Sequence, residues 1–287
     1  VPELPEVETV RQGLNQVTLG YKITGGDVLL ARTIAYPLSL NEFLAGIKGT
    51  AITQWHRRGK YLLAELVGTE EAAGWLGVHL RMTGQLLWLQ PGDALQKHTR
   101  VRLFFAQERE LRFVDQRTFG QIWWVPPGVA VESVMTGLGR LGLEPFSAEF
   151  SVEHIARKLH NRRRPIKSAL LDQMVVAGLG NIYADEALFL CGVRPVTLCT
   201  DLQLEQIESL RNAIVQVLQT SIAAGGTTFS NFLNVQGING NYGGVAWVYN
   251  RTGEPCRICG TPIQRLKLAG RSAHFCPQCQ HDSGRQG

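Results

Sequence analysis

The chain has 287 residues, 44% of them hydrophobic and 18% charged, with a formal net charge of +5. That length supports a real hydrophobic core in one large or two modest domains, and the composition excludes a disordered tail. No apolar run approaches the roughly 20 residues that span a bilayer, and the opening Val1-Pro2-Glu3-Leu4-Pro5-Glu6 has neither the basic nor the apolar stretch of a secretion signal, so a cytoplasmic protein without membrane association is expected.

The first predicted element is a helix. Leu4, Val7, Val10, Leu14 and Val17 recur at spacings of three and four, and Pro2 and Pro5 suit a first turn, where a missing N–H costs nothing. Strand-like stretches follow at Lys60–Leu66, Trp75–Leu80, Gln85–Leu89, Arg100–Phe105, Leu111–Val114 and Gln121–Val125, several of them alternating and all punctuated by Gly, Pro or charged turns. This half reads as a β-sandwich flanked by helices, ending in a short helical stretch after Pro126-Pro127-Gly128. The period then changes. Ser151–His160, Ile166–Val176, Ile182–Cys191 and Leu202–Ala223 read as helices, and Gly225–Gly244 is a Gly/Asn-rich stretch too long for a simple turn, a candidate mobile loop. The predicted fold class is α+β, with domains at 1–140, 141–248 and 249–287.

Charge divides the same way. Residues 1–150 hold 15 basic and 15 acidic side chains, and residues 151–287 hold 14 and 9, so all of the +5 lies in the second half. A neutral half joined to a basic half suggests a polyanion partner. The basic residues cluster at Arg157-Lys158, at Arg162-Arg163-Arg164 with Lys167 close behind, and in the tail at Arg257, Arg265, Lys267, Arg271 and Arg285. Each cluster alone is an unremarkable solvated surface; together they favour phosphate-backbone binding.

Four of the six cysteines form Cys256-x2-Cys259 and Cys276-x2-Cys279, separated by 16 residues. Two such knuckles are a signature of one structural zinc ion on a hairpin, two disulfides being the alternative in an oxidising compartment. Four thiolates close the coordination sphere, so this zinc folds the tail and does no chemistry. Cys191 and Cys199 read as buried thiols.

A helix that begins near the chain start brings an α-amine beside the positive end of a helix dipole, which disfavours the ammonium form. A neutral proline amine is a secondary amine, and its attack on an aldehyde carbon yields an iminium ion. Glu3 and Glu6, three apart, place a carboxyl group near it as a proton source. An ordinary capped first helix gives the same residues.

The start Pro2-Glu3-Leu4-Pro5-Glu6-Val7-Glu8-Thr9-Val10 strongly resembles the formamidopyrimidine-DNA glycosylase family. So do Arg57-Arg58-Gly59-Lys60-Tyr61, His79-Leu80-Arg81-Met82-Thr83-Gly84, Asp115-Gln116-Arg117-Thr118-Phe119-Gly120, the run Gly178 to Glu186, Gly226-Thr227-Thr228, Gly253-Glu254-Pro255-Cys256 and Gly270-Arg271. The matches fall in order along essentially the whole chain. The resemblance implies an N-terminal β-sandwich, a helical domain with a helix–two-turn–helix motif and a four-cysteine zinc-finger hairpin, with DNA in the cleft between. It implies a monomeric repair enzyme acting on double-stranded DNA that contains oxidised purines or abasic sites. Pro2 matches the nucleophile, Glu3 the proton donor that helps open the sugar, with Glu6 in support. Lys60 matches the lysine of β-elimination, and Arg271 the arginine of δ-elimination. Met82, Arg117 and Phe119 match residues inserted into the stack when the lesion is flipped out, a task that suits an apolar wedge, a planar cation and an aromatic ring. His98, Arg162, Lys167 and Asn181 match backbone contacts, and the Gly225–Gly244 loop matches the segment that closes over the lesion.

Two departures stand out. An internal proline nitrogen is a tertiary amide and cannot attack, so the resemblance requires that Val1 be removed, as expected for a translated alternative start. Asn250 stands where the family more often has glycine, and asparagine tolerates positive φ. Two other functions remain open: the sister endonuclease VIII-like activity on oxidised pyrimidines, which Leu4 and the long loop disfavour, and a non-catalytic zinc-finger DNA-binding protein.

Overall fold

The computed structural model describes residues 2–69, 71–227 and 233–281. The chain divides into two compact units, residues 1–140 with 225–241, and residues 141–224 with 242–287.

The first unit is a β-sandwich with helices packed on it. Helix α1 is Leu4–Val17, and its apolar stripe Leu4, Val7, Val10 and Leu14 is fully buried, each side chain contributing about 1.5–3 kcal/mol by leaving water. After it come β1 (Ile23–Val28), β2 (Ile34–Tyr36), α2 (Leu40–Ile47), β3 (Ala51–Arg58), β4 (Tyr61–Val67), β5 (Ala72–His79), β6 (Gly84–Leu89), β7 (Thr99–Phe105), β8 (Arg109–Asp115), β9 (Gln121–Val125) and the short α3 (Val131–Val134). One sheet runs β1-β7-β8-β6, the other β2-β9-β5-β4-β3. Alternate residues of β7 (Val101, Leu103, Phe105) and β4 (Leu62, Ala64, Leu66) enter one core with Trp55, Phe43, Ile47, and Val7, Val10 and Leu14 of α1. Trp55 is fully buried, and its indole N–H donates to Thr18 Oγ1 at 2.9 Å.

The six predicted strands are present, shifted by at most three residues at their ends. The sequence reading did not identify β1, β2, α2 or β3. In β1 the pair Gly25-Gly26 reads as a turn, yet a Cβ at Gly26 would lie 2.6 Å from Arg102 O, so glycine there admits β7. In β3 a bulge between Ile52 and Gln54 breaks the alternation, leaving Ile52 and Trp55 buried three apart.

The second unit contains α4 (Val152–Leu159), α5 (Ile166–Leu170), α6 (Asn181–Leu190), α7 (Leu204–Ala223) and a hairpin of β10 (Gln264–Leu268) and β11 (Arg271–Phe275). The helix expected over Ile166–Val176 stops at Leu170. Asp172 Oδ1 accepts the N–H of Met174, and the Gln173 amide joins Leu171 O, Leu179 O and Gly178 N, so side chains close two turns in place of the helix. Val175, Val176 and Ala177 are fully buried without being helical.

The domain expected at 141–248 also differs. Residues 225–241 belong with the β-sandwich, because Val235 fills its core and accepts the N–H of Trp88 at its carbonyl. The zinc-finger segment shares the core of the second unit's helices. The expected mobile loop falls partly on residues 228–232, and Val1 and Arg285 also lie outside the described residues.

Candidate active site and nucleic-acid interface

Pro2 and Glu3 lead into α1, whose start is built around Glu3 and Glu6. Glu3 is the N-cap and Glu6 stands at N3. The two form a reciprocal capping box: the Glu3 carboxylate accepts the N–H of Glu6, and Glu6 Oε2 accepts the N–H of Glu3 at 2.9 Å. Glu6 Oε1 accepts the N–H of Thr227 at 2.8 Å, tying the helix start to the segment that begins at Gly225. Glu6 is fully buried and Glu3 is 1% exposed. Pro2 is buried beside them. Glu6 therefore holds backbone in place, and Glu3 is the carboxyl adjoining Pro2 in the chain.

Lys60 occupies the two-residue turn between β3 and β4, closed by the Arg58–Tyr61 pair, with Gly59 at φ 56°. The turn is anchored from α1: Glu8 Oε2 accepts Arg57 Nε at 3.0 Å, and Arg57 Nη1 donates to Gly59 O at 3.1 Å. Although burial pushes the Glu8 carboxyl up, bonds from Arg11 and Arg57 hold it below the ordinary carboxylate range. Across the sheet, Tyr61 pairs with His79, whose Nδ1 accepts the N–H of Arg81 at 3.0 Å. Burial, then Arg81 and Lys60, lower the His79 pKa to about 3. The ring is neutral, and its proton is therefore on Nε2. Sequence reasoning passed over His79; a histidine ending an apolar strand beside a lysine turn was the available signal.

The residues expected to form the wedge sit on two neighbouring turns joined by Asp115. Met82 lies in the turn between β5 and β6, and Arg117 and Phe119 lie in the turn between β8 and β9. Thr83 Oγ1 donates to Asp115 Oδ1 and accepts the N–H of Arg117, while Asp115 Oδ2 accepts the N–H of Gly120 at 2.8 Å. Asp115 is 1% exposed, whereas Phe119 is 53% exposed with the Arg117 guanidinium 5.0 Å over its ring. The same carboxylate thus organises a platform carrying an exposed aromatic and a cation.

His98 ends a loop that the fully buried Arg112 secures. Its guanidinium donates to Asp93 O, Ala94 O and Gln96 Oε1 and pairs with Glu110 Oε1 at 2.6 Å.

In the second unit, Asn181 is the first residue of α6 and follows N-cap Gly180, a position where the helix dipole favours an anion. Arg162 and Arg164, which no acid separates in sequence, both reach Asp172 Oδ2, at 3.4 and 2.8 Å. Arg162 remains one-third exposed.

Lys167 departs from expectation. Its side chain is 1% exposed, and Nζ lies 2.6 Å from Asp185 Oδ1 and donates to the carbonyl of Ser272. A buried ammonium with those partners is not placed to contact phosphate. The residue after Asp185, Glu186, is also fully buried and accepts the N–H groups of Trp247, Val248 and Tyr249 and the hydroxyl of Tyr242. Burial pushes its carboxyl up against those bonds. Adjacent acids on α6 therefore hold two stretches of the tail.

The four cysteines Cys256, Cys259, Cys276 and Cys279 bring their sulfurs within 4.8 Å of one another. Cys256 and Cys279 Sγ are 3.8 Å apart, Cys259 and Cys276 3.5 Å. A tetrahedral zinc with Zn–S of about 2.3 Å needs sulfurs roughly 3.8 Å apart, whereas a disulfide needs about 2.05 Å. The set fits a metal ion. Hydrogen bonding from Thr261 lowers the Cys259 thiol, whereas burial, with the neighbouring sulfurs, raises those of Cys276 and Cys279. Cys199 is buried, and burial raises the Cys191 thiol to about 12, which leaves it inert.

Known proteins share this arrangement. Residues 1–122 match the formamidopyrimidine-DNA glycosylase N-terminal domain, 141–232 its H2TH domain, and 253–281 the zinc finger found in FPG and IleRS. The formamidopyrimidine-DNA glycosylase of Nostoc sp. (strain PCC 7120) is 73% identical over 282 residues, covering 98% of this chain and all of the relative. Lactococcus lactis Fpg, solved with abasic-site DNA and with oxidised-pyrimidine DNA, is 34% identical with a TM-score of 0.87 in each, over 98% of this chain and 100% of that one. A variant of it, solved with Fapy-dG DNA, gives 0.88. The Thermus thermophilus MutM (Fpg) protein is 37% identical with a TM-score of 0.86, over 98% and 99%. Similarity of this depth runs from the capped Pro2-Glu3 start to the last cysteine pair, and it makes the chain a member of the formamidopyrimidine-DNA glycosylase family.

Proposed function

We propose that this protein is a base-excision repair enzyme, a bifunctional DNA glycosylase and AP lyase that removes oxidised purines such as 8-oxoguanine and formamidopyrimidines from duplex DNA. The observation that carries the reading is the Pro2-Glu3 start, set on the buried cap of α1 in a chain related over its whole length to formamidopyrimidine-DNA glycosylases. In a chain that begins at Pro2, the proline nitrogen attacks C1′ of the damaged nucleotide. Glu3 donates a proton to the ring oxygen as the C1′–O4′ bond opens, the C1′–base bond breaks with its electron pair leaving on the base, the proton shed by the nitrogen ends on the departing base, and the nitrogen remains as an iminium ion. That cation acidifies the C2′ proton. With Lys60 assisting, the proton leaves and the 3′ phosphate is expelled by β-elimination; Arg271 assists loss of the 5′ phosphate by δ-elimination. Water then releases the amine.

Residues 1–140 supply the chemistry and the Met82, Arg117 and Phe119 wedge. Residues 141–224 supply Arg162 and Asn181 for the phosphate backbone, joined by His98 from the first unit, and residues 249–287 form the zinc finger. Lys167 is assigned to support within the fold. One zinc ion, held by Cys256, Cys259, Cys276 and Cys279, has no catalytic part and keeps the Arg271 hairpin folded. Among the described residues no helix is long and apolar enough to cross a membrane. The enzyme is assigned to the cytoplasm, associated with the nucleoid through DNA and acting as a monomer.

The Lactococcus lactis protein solved with an oxidised pyrimidine gives a second reading, activity on that class as well. Initial rates on 8-oxoguanine and thymine-glycol duplexes separate the two. The purine lesion is expected to be cut at least about tenfold faster, since contacts to a substrate's polar groups discriminate by that much and more; equal or reversed rates contradict the purine assignment.

A further inference from the structure

The geometry points to a role for the buried acid Asp185: together with Lys167 it is a positioning residue that fixes strand β11 and so aims Arg271. The inference rests on the δ-elimination role proposed for Arg271.

The β10–β11 hairpin has only two strands, closed by Ala269-Gly270 with φ of 47° and 80°. A two-stranded hairpin is marginally stable alone, so its course depends on what it is packed against. The cysteine cluster holds the base. Arg271 is exposed at the opposite end, as the first residue after the turn.

A two-residue turn makes Leu268–Arg271 the closing hydrogen-bonded pair. Bonding then alternates, so Leu266–Ala273 bond to each other, while Ser272 and His274 turn their peptide groups away from β10. Those outward groups meet the helical core. Lys167 Nζ donates to Ser272 O, and Asp185 Oδ2 accepts the N–H of His274 at 2.9 Å and lies 3.0 Å from its Nδ1. Asp185 Oδ1 pairs with Lys167 at 2.6 Å. A donor from α5 and an acceptor from α6 thus occupy the free edge of β11, as a third strand would. The clamp grips the residue next to Arg271.

Stability alone does not call for this pair. Apolar residues of similar volume at a buried ion pair are often as stable or more so. What apolar residues lack is a donor for the carbonyl and an acceptor for the amide, and those set where the strand lies.

The test is Asp185→Asn, assayed on duplex carrying a preformed abasic site with β- and δ-elimination products resolved, and with zinc content measured alongside. The δ:β product ratio is expected to fall about tenfold, within the cost of misplacing a catalytic group by an ångström. Excision of 8-oxoguanine is expected to stay near the wild-type rate, and zinc to be retained. A purely structural role lowers every step together, and that outcome, like an unchanged ratio in folded protein, overturns the proposal. Asparagine removes the carboxylate that faces the buried Lys167 ammonium at 2.6 Å. If that variant fails to fold, Lys167→Met with Asp185→Asn, which removes both charges of the pair, reads the same ratio. Arg271→Ala run in parallel separates the causes. If it keeps the wild-type ratio, the Arg271 assignment falls and takes the proposal with it. If it loses δ-elimination while the Asp185 variant keeps it, only the positioning role falls.

Discussion

Glu3→Gln is expected to abolish base excision while leaving strand cleavage at a preformed abasic site. The amide keeps an oxygen able to accept the N–H of Glu6, so the cap of α1 survives. What is lost is an acid able to donate a proton as the sugar opens, and general acid catalysis is worth roughly 10²–10⁴ in rate. An abasic site already has its base removed and presents an aldehyde to the amine. The expected result is therefore a split: 8-oxoguanine excision falls by about 10² or more, and cleavage of the abasic duplex stays close to wild type. Single-turnover assays on the two duplexes measure it. Wild-type-like excision by the variant removes Glu3 from its role. An equal loss on both duplexes, with a lowered melting temperature, assigns Glu3 to the helix cap alone.

Removal of zinc is expected to have an effect of similar size by another route. The tail adds few residues to the apolar cluster it shares with α6: Cys256, Ile263 and Cys276 pack with Phe189 and Val248, and Trp247 stacks on Phe189. Structural zinc contributes on the order of 10–16 kcal/mol in small fingers, more than those three side chains provide at about 1.5–3 kcal/mol each. Cys279→Ser, or prolonged chelation, should unfold the hairpin and displace Arg271 and Lys267. Loss of even two or three phosphate contacts weakens binding by roughly 10²-fold near physiological salt. Zinc analysis and fluorescence anisotropy on a lesion duplex measure this, and unchanged affinity in zinc-free protein contradicts the structural role. The β-sandwich core, centred on Trp55 and the α1 stripe, contains none of the four cysteines, so most of the melting transition is expected to persist.

Local rules with strong periods made much of this legible in sequence. The α1 stripe, the alternation in β4 and β7 and the two cysteine knuckles each fix their own geometry, and Asn250 adopts the positive φ (59°) that its side chain tolerates. Features that depend on distant partners were not legible. The β3 bulge shifts the phase of burial, and the helix stop at Leu170 is made by the Asp172 and Gln173 side chains, with no Gly or Pro in sequence between Leu170 and Gly178. Asp115 and Arg112 carry no sequence signature of the loops and turns they secure, and His79 is marked only by its place at the end of an apolar strand. Lys167 shows the converse: a basic residue in a basic cluster read as a phosphate contact, because its partner Asp185 lies 18 residues further along the chain. Glu6 is similar, since only the fold shows its carboxylate engaged by backbone from residue 227.

The central claim is that the chemistry runs through the Pro2 amine. Borohydride reduction of protein mixed with an 8-oxoguanine duplex, followed by intact-mass analysis, tests it most directly. A covalent protein–DNA adduct is expected, its protein portion beginning at Pro2 and the cross-link mapping to that residue. Absence of an adduct from protein confirmed to begin at Pro2, or active enzyme that retains residue 1, contradicts the account.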